Sequence, residues 1–458
     1  MSNKKLFNEL REEYPQFVYE SYNYSYEADR TLVLKFHFRI GDSIEFFPQH
    51  KINLCAAPID QQNNDILSNL AFHIGMVELI SYWKVTCSPQ VLIKPFNLTP
   101  IQQKWWKKLY YNGLGEFFYL NGIDTSLDDF MSIAFSPEST SIPNPIRLDL
   151  KDEFIIPVGG GKDSVVTLSS LGKLNNSAGM VVNQREATKG CLEVAHLQDC
   201  TYEIKRSIDP TLLDLNSKGF LNGHTPFSSL LAFVSALISV VSGKKHIALS
   251  NEASANEVTI PGTHVNHQYS KSYEFEQDFR WYLHTHICPD INYFSFLRPL
   301  NELQIAALFA KERGFHKIFK SCNVGSKTNI WCCKCPKCLF TWIILSPFIA
   351  HDRMVEIFGE NLWHKESLKL YLEQLTGIAT EKPFECVGTI DEVNAALQFV
   401  VQNNAEEQNT SALLQHYQKH IPIKKLDILE GFLAYWNPQH NLDKRLENIL
   451  KSALKQLK

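Results

Sequence analysis

The sequence predicts an α/β protein: a doubly wound, mostly parallel sheet, with an N-terminal α+β domain at 1–140 and a helical region at 351–458. Three observations predict it. A Gly-rich turn at 158–164 joins a buried-strand pattern to a helix pattern. Strand and helix patterns alternate after it. A Pro- and Ser-rich stretch from Ser136 to Pro145 separates this region, 141–350, from a first segment with period-two alternation.

The N-terminal segment opens with Tyr22, Tyr24, Tyr26, Leu32, Leu34, Phe36 and Phe38 alternating with polar residues, which implies an antiparallel hairpin or meander over 16–54. Asp65 to Trp83 has helical spacing. Ile101 to Tyr119 is a second helix, with Thr99 placed to cap it and Pro100 at its first position. Trp105, Trp106, Tyr110 and Tyr111 suit either core packing or a substrate pocket.

Phe154 to Val158 is apolar throughout, as in a parallel strand covered on both faces. Gly159, Gly160, Gly161, Lys162, Asp163 and Ser164 follow, then a helix over Val165 to Leu174 capped by Asp163 or Ser164. Such a turn offers bare N–H groups and a helix N-terminus to an anion. The Walker pattern does not fit. Further strands are expected at Ala178 to Asn183, Cys200 to Ile208 and His246 to Ser250, with an apolar helix over Pro226 to Ser242.

Ligands on such sheets sit beyond the carboxyl ends of the strands. The segment after the His246 strand, with Asn251, Glu252, Asn256 and Glu257, and then His267 and Lys271, is too polar to be core. It reads as an active-site loop carrying carboxylates for Mg²⁺ and amides for substrate. Arg298, before a helix over Glu302 to Lys311, suits a carboxylate or phosphate, or the surface.

Cys322, Cys332, Cys335 and Cys338 have spacing that can close a tetrahedral Zn²⁺ site, structural because no position stays open. Cys333 competes with Cys332 for the ligand role. A helix over Leu339 to Ile349 follows, and further helices are expected near 365–375, 390–402, 411–420 and 441–457.

Composition is that of an ordinary globular chain, 44% hydrophobic and 21% charged. The formal charge of −4 gives no basis for broad nucleic-acid binding. No signal peptide or membrane span is expected, which points to the cytoplasm and a reducing compartment.

The turn resembles the pyrophosphate loop, S-G-G-x-D-S, of the ATP-pyrophosphatase (PP-loop) superfamily, with Gly159 in place of its Ser. The cysteine pattern is similar to that of the PP-loop enzymes that make the nitrile of 7-cyano-7-deazaguanine. The set G-G-G-K-D-S, G-H-T-P-F-S, S-N-E-x-S-A-N-E, N-H-Q-Y-S-K-S, F-S-x-L-R-P-L and W-C-x-x-C-P-K-C-L-F resembles one bacterial family. That family is the UDP-N-acetylmuramoyl-L-alanyl-L-glutamate epimerases of peptidoglycan synthesis, a process tied to cell shape and division.

The resemblance implies an adenine nucleotide alpha hydrolase-like fold and inversion of a terminal L-Glu to D-Glu, with ATP and Mg²⁺ consumed to AMP and diphosphate. The glycines, Lys162 and Ser164 would hold the phosphates. Asp163, Glu252 and Glu257 would hold Mg²⁺, and Asn251, Asn256 and Arg298 would hold substrate. His224, His267, Lys271 or Cys322 would move the α-proton, zinc being preferred for Cys322. Rival expectations are an amide ligase or a tRNA-modifying PP-loop enzyme.

Overall fold

A computed structural model describes residues 3–55, 64–174, 176–260, 262–263, 265–403, 411–423 and 428–457. The chain opens with helix α1 (Asn3–Glu13), which the sequence reading did not anticipate. Strands β1 (Gln16–Tyr26), β2 (Thr31–Ile40), β3 (Ile44–Phe46) and β4 (Gln49–Asn53) form the expected antiparallel meander. Helix α2 (Asn64–Trp83) is followed by β5 (Gln90–Ile93), β6 (Phe96–Asn97), α3 (Pro100–Gly113), α4 (Gly115–Leu120), β7 (Ser132–Phe135) and β8 (Thr140–Ser141). Thr99 caps α3 reciprocally with Gln102, and Pro100 begins it, as the sequence predicts.

The central region runs β9 (Lys151–Pro157), α5 (Lys162–Leu171), β10 (Ala178–Val182), α6 (Glu186–Val194), β11 (Thr201–Ser207), α7 (Pro210–Ser217), α8 (Phe227–Ser242), β12 (Lys244–Leu249), α9 (Tyr273–His286), β13 (Asn292–Ser295), α10 (Glu302–Lys311) and α11 (Pro336–Leu345). Five strands lie parallel in the order β13-β12-β9-β10-β11. The chain therefore leaves β9 in one direction, returns, and leaves in the other. The crevice between the carboxyl ends of β9 and β12 is the topological switch point, where such sheets bind ligands.

The sheet does not stop there. β11 pairs antiparallel with β4, and the order continues β4-β2-β1-β5-β7 in one eleven-stranded sheet. The boundary expected near residue 140 therefore leaves the sheet unbroken. One face buries α2, α3, α8 and α9 in a core that runs from Phe7 to Tyr293. Trp105, Trp106 and Tyr110 belong to this core: the Trp106 indole donates to the Tyr282 hydroxyl at 3.0 Å, and the Tyr110 hydroxyl donates to the Met76 carbonyl at 2.6 Å. Their alternative role in a pocket falls away, because both polar tips are spent inside.

The other face buries α5, α6, α10 and α11 beneath the C-terminal helices α12 (His351–Phe358), α13 (Lys369–Thr376), α14 (Ile390–Asn403), α15 (Ala412–His420), α16 (Ile428–Ala434) and α17 (Lys444–Lys455). Among the described residues no helix is long and apolar enough to cross a membrane.

Candidate active site

The Gly-rich turn leaves the carboxyl end of β9 at the switch point. Gly160 has φ +81°, and a Cβ there would meet the Thr188 nitrogen at 3.1 Å. A Cβ on Gly161 would approach Ser321 Oγ at 2.9 Å, whereas one on Gly159 would meet nothing within 4 Å. Only the second glycine is therefore required by the backbone around it; a Cβ on the third meets a hydroxyl that can turn aside, and a serine would fit at Gly159.

Helix α5 starts a turn earlier than expected, with Gly161 rather than Asp163 or Ser164 as its N-cap. Ser164 Oγ instead braces the turn, accepting from the Gly160 N–H at 3.2 Å and donating to the Gly161 carbonyl at 2.9 Å. The first-turn N–H groups of a helix have no partners within it, so this end faces an anion favourably.

Lys162 does not reach out over the turn. It is 2% exposed, and its ammonium binds Asp163 Oδ1 at 2.5 Å and also the Glu302 carboxylate. Glu302, the first residue of α10, was absent from the sequence expectations. Burial, with the charges of Asp163 and Glu252 nearby, pushes Glu302 up to about 8 despite Lys162. Burial acts the same way on Asp163, but Lys162, Lys337 and Lys271 overcome it and hold that carboxyl below its usual range. Glu392 accepts the Glu302 backbone N–H at 2.7 Å, and burial raises it too. The turn thus ends in a pocket of several carboxylates and fewer ammonium groups.

The expected Mg²⁺ set is only partly assembled. Glu252 is buried and interacts with the Lys162–Glu302 pair. Glu257 turns away to pair with Lys382. Among the described residues the sites with clustered ligand atoms do not include this trio. Asp163, with Glu302 and Glu252 behind it, is the acidic group that fits a cation at the turn.

Arg298 is corrected as a substrate ligand. It is fully buried and donates to Glu252 O at 2.7 Å, Lys271 O at 2.6 Å and Glu276 Oε2 at 3.1 Å. It locks the polar loop from inside, with its fork filled by protein oxygens. Asn251 donates to Ser295 Oγ at 3.2 Å. Asn256 accepts the Tyr273 N–H at 2.7 Å and lines a cavity of about 430 Å³ together with Asn112, Asn266, Tyr269, Glu274 and Gln439.

His224 and His267 come together, with ring centroids 4.6 Å apart. Both aim Nδ1 at one oxygen of Glu116, on α4: His267 in a short hydrogen bond, His224 at 3.4 Å. These ligand atoms lie within 4.8 Å of one another. Two imidazoles and a carboxylate this close could share a proton or hold a metal ion. Burial lowers His267, but Cys386 and Glu116 outweigh it and lift it to about 9. Burial and the neighbouring His267 push His224 down to about 4. One ring is therefore charged and the other neutral near pH 7.

Lys271 reaches the same place from the polar loop, donating to Cys386 Sγ at 3.0 Å. Cys386 lies between α13 and α14 in a segment tied down by Lys382 to Glu257, Asn323 to Glu385, and Gln268 to the Val387 carbonyl. The C-terminal region thus supplies a side chain to the site.

The cysteine cluster is tetrahedral in spacing. Cys322–Cys335, Cys332–Cys338 and Cys335–Cys338 are 3.9, 3.8 and 3.5 Å apart at sulfur. Four thiolates around Zn²⁺ at ~2.3 Å stand roughly 3.8 Å apart, so the residues fit the ion. Cys333, in the left-handed region at φ 52°, turns its thiol to the Phe358 carbonyl, which leaves Cys332 as the fourth ligand. The N–H of Gly325 supports Cys322 Sγ at 3.1 Å. Cys322 is thereby taken from the proton-transfer candidates. The knuckle holds Lys337, between Cys335 and Cys338, where its charge acts on Asp163, Glu302 and Cys386.

Comparison with known proteins shows the family. The family model described as the MurL N-terminal domain matches residues 8–296, and that of the MurL C-terminal domain matches residues 318–427. The chain belongs to the MurL family. A curated relative from Xanthomonas oryzae pv. oryzae, named UDP-N-acetyl-alpha-D-muramoyl-L-alanyl-L-glutamate epimerase, is 33% identical over 73% of this chain and 74% of its own. Relatives with that name from Salinispora tropica and a Micromonospora species are 31% and 32% identical, over 76% and 72% of this chain and 76% and 74% of their own. No solved structure matches. The two matches leave residues 297–317, with α10 and Glu302, between them, and the site draws on both matched segments.

Proposed function

We propose that this chain, an epimerase by family, inverts the terminal L-Glu of UDP-N-acetylmuramoyl-L-Ala-L-Glu to D-Glu in cytoplasmic peptidoglycan synthesis, after adenylating its α-carboxylate with ATP. The observation that carries the adenylation is the Gly160–Gly161 turn, set at the switch point with Asp163 beside it.

The chemistry requires activation. The glutamate nitrogen is already an amide, so no Schiff base can acidify the Cα–H. Removing that proton beside an ionised carboxylate places two negative charges together. An acyl adenylate has lost the carboxylate charge, and its carbonyl accepts the electron pair.

In this reading the Gly159–Gly161 backbone and the α5 N-terminus receive the departing diphosphate. Asp163, with Glu302 and Glu252, would hold Mg²⁺, which would neutralise phosphate charge. Lys337 lies at the edge of this pocket, placed for phosphate or carboxylate. Lys162 keeps the carboxylates apart from within. His224, His267 and Lys271 face the other side, where the α-proton must leave and return. The polar cavity at Asn256 suits the sugar or uracil of the carrier. Incubation with the UDP-dipeptide, ATP and Mg²⁺, followed by chiral analysis of glutamate and assay of AMP, tests the reading. D-Glu without AMP rejects adenylation, and absence of D-Glu with active nucleotide turnover rejects the substrate.

A further inference from the structure

The thiol of Cys386 has no part in the roles given so far, yet its placement is specific. Its neighbour at 3.0 Å is the ammonium of Lys271, and the interaction reaches His267 as well. The other charges acting on Lys271 are Glu252 and Asp163, at the Gly-rich turn. Two residues beyond Cys386, Gly388 packs so closely that a Cβ would meet Glu302 Cγ and Glu392 Oε2, each at 2.9 Å. Thr389 then donates to Glu392 through both its N–H, at 2.6 Å, and its hydroxyl, at 2.8 Å. Cys386 is therefore fixed by a short run of contacts to the partner of Lys162, next to the pocket that would hold the adenylated carboxyl group. The carbon bearing the α-proton is one bond from that carboxyl carbon.

We infer that Cys386 is a catalytic acid–base of the epimerisation, exchanging the glutamyl α-proton as a thiolate held by Lys271. This rests on the adenylation reading above. The thiolate sulfur takes the proton and becomes a thiol. The C–H electron pair moves into the carbonyl, giving an enolate. A proton from solvent goes to the opposite face of Cα as the pair returns, and the thiol then gives its proton back to solvent through His267, to which it is hydrogen-bonded. No oxidant or reductant is needed. A thiolate is a suitable base here because Lys271 and His267 place two positive charges around it. Burial would raise this thiol, but those charges draw it down to about 6. Cys55, Cys87, Cys191 and Cys288, by contrast, are raised by burial.

The test uses the full chain with UDP-dipeptide, ATP and Mg²⁺ in deuterated water, comparing wild type with Cys386→Ala and Cys386→Ser. Substrate-dependent diphosphate release should persist within about threefold, while α-deuterium incorporation and D-Glu formation fall by about 100-fold or more. Wild-type exchange in either variant overturns the inference. D-Glu made by wild type without AMP would instead reject adenylation, while the Cys386 comparison is still read from exchange. Should the variants misfold, iodoacetamide on wild type replaces them. Alkylation of Cys386, located by mass spectrometry and slowed by substrate, should remove exchange. Full alkylation of Cys386 with exchange intact overturns the inference.

Discussion

The backbone N–H of Lys320 donates to the Gly160 carbonyl at 2.9 Å, two residues before the first zinc-type ligand, Cys322. The cysteine knuckle and the Gly-rich turn are thus one mechanical unit, with Ser321 filling the space beside Gly161. Structural metal sites contribute directly to folding free energy. Protein purified without chelator should carry about one Zn²⁺ per chain. Cys338→Ser should lose the ion, lower the melting temperature and raise the KM for ATP. A metal-free wild type with undiminished stability and nucleotide affinity would contradict this role.

Gly160 and Gly159 should respond in opposite ways to substitution. Gly160→Ala forces a side chain into positive φ and against the Thr188 and Ala187 backbone. It should cost about 1–2 kcal/mol of stability and most nucleotide affinity. Gly159→Ser has open space and should keep or improve the KM for ATP. Thermal melts and KM values for the two variants check the contrast.

Asp163 is the more exposed carboxylate at the turn, 28% accessible against 2% for Glu302. Asp163→Ala should abolish AMP formation while the fold persists. Turnover at the wild-type rate in this variant would discard the assignment of the turn.

The Glu116–His267 pair carries a pH signature. The folded His267 titrates at about 9, above its ordinary 6.5. A raised folded value means the stabilisation is full below pH 6.5 and is lost as pH rises through 9. Cys386, drawn down to about 6, works the other way over the same window, so the His267 contribution is read as the difference in melting temperature between wild type and a Glu116 variant from pH 7 to 9.5. Glu116→Gln removes one of the two groups that lift His267, after Cys386, and should change that slope. An unchanged slope in Glu116→Gln would show that another group is responsible.

Much of this was legible in the sequence because it is local. The strand, turn and helix around Gly160, the Thr99 cap, the Pro226 helix and the cysteine spacing are each contained in a single short run of chain. What escaped is long-range. β4 and β11 pair across 150 residues of chain, so a Pro-rich stretch at 136–145 looked like the end of a domain. Glu116, Glu302, Glu392 and Cys386 reach the site from four separate elements, and none sits in a local pattern with its partners. Arg298 resembles a ligand contact in sequence because it is a charged residue beyond a strand end; in the fold Glu276, Lys271 O and Glu252 O fill its donors. Glu257 was likewise claimed by Lys382, from a segment 125 residues away.

Activation of the glutamyl carboxylate by ATP before proton exchange can be read from one incubation. Wild-type protein is given UDP-N-acetylmuramoyl-L-Ala-L-Glu and Mg²⁺ in deuterated water, with and without ATP, and the products are read by mass spectrometry and chiral chromatography. D-Glu carrying solvent deuterium at Cα is expected, with at least one AMP and one diphosphate per D-Glu, and no exchange without ATP. Exchange and inversion at an equal rate without nucleotide would contradict it.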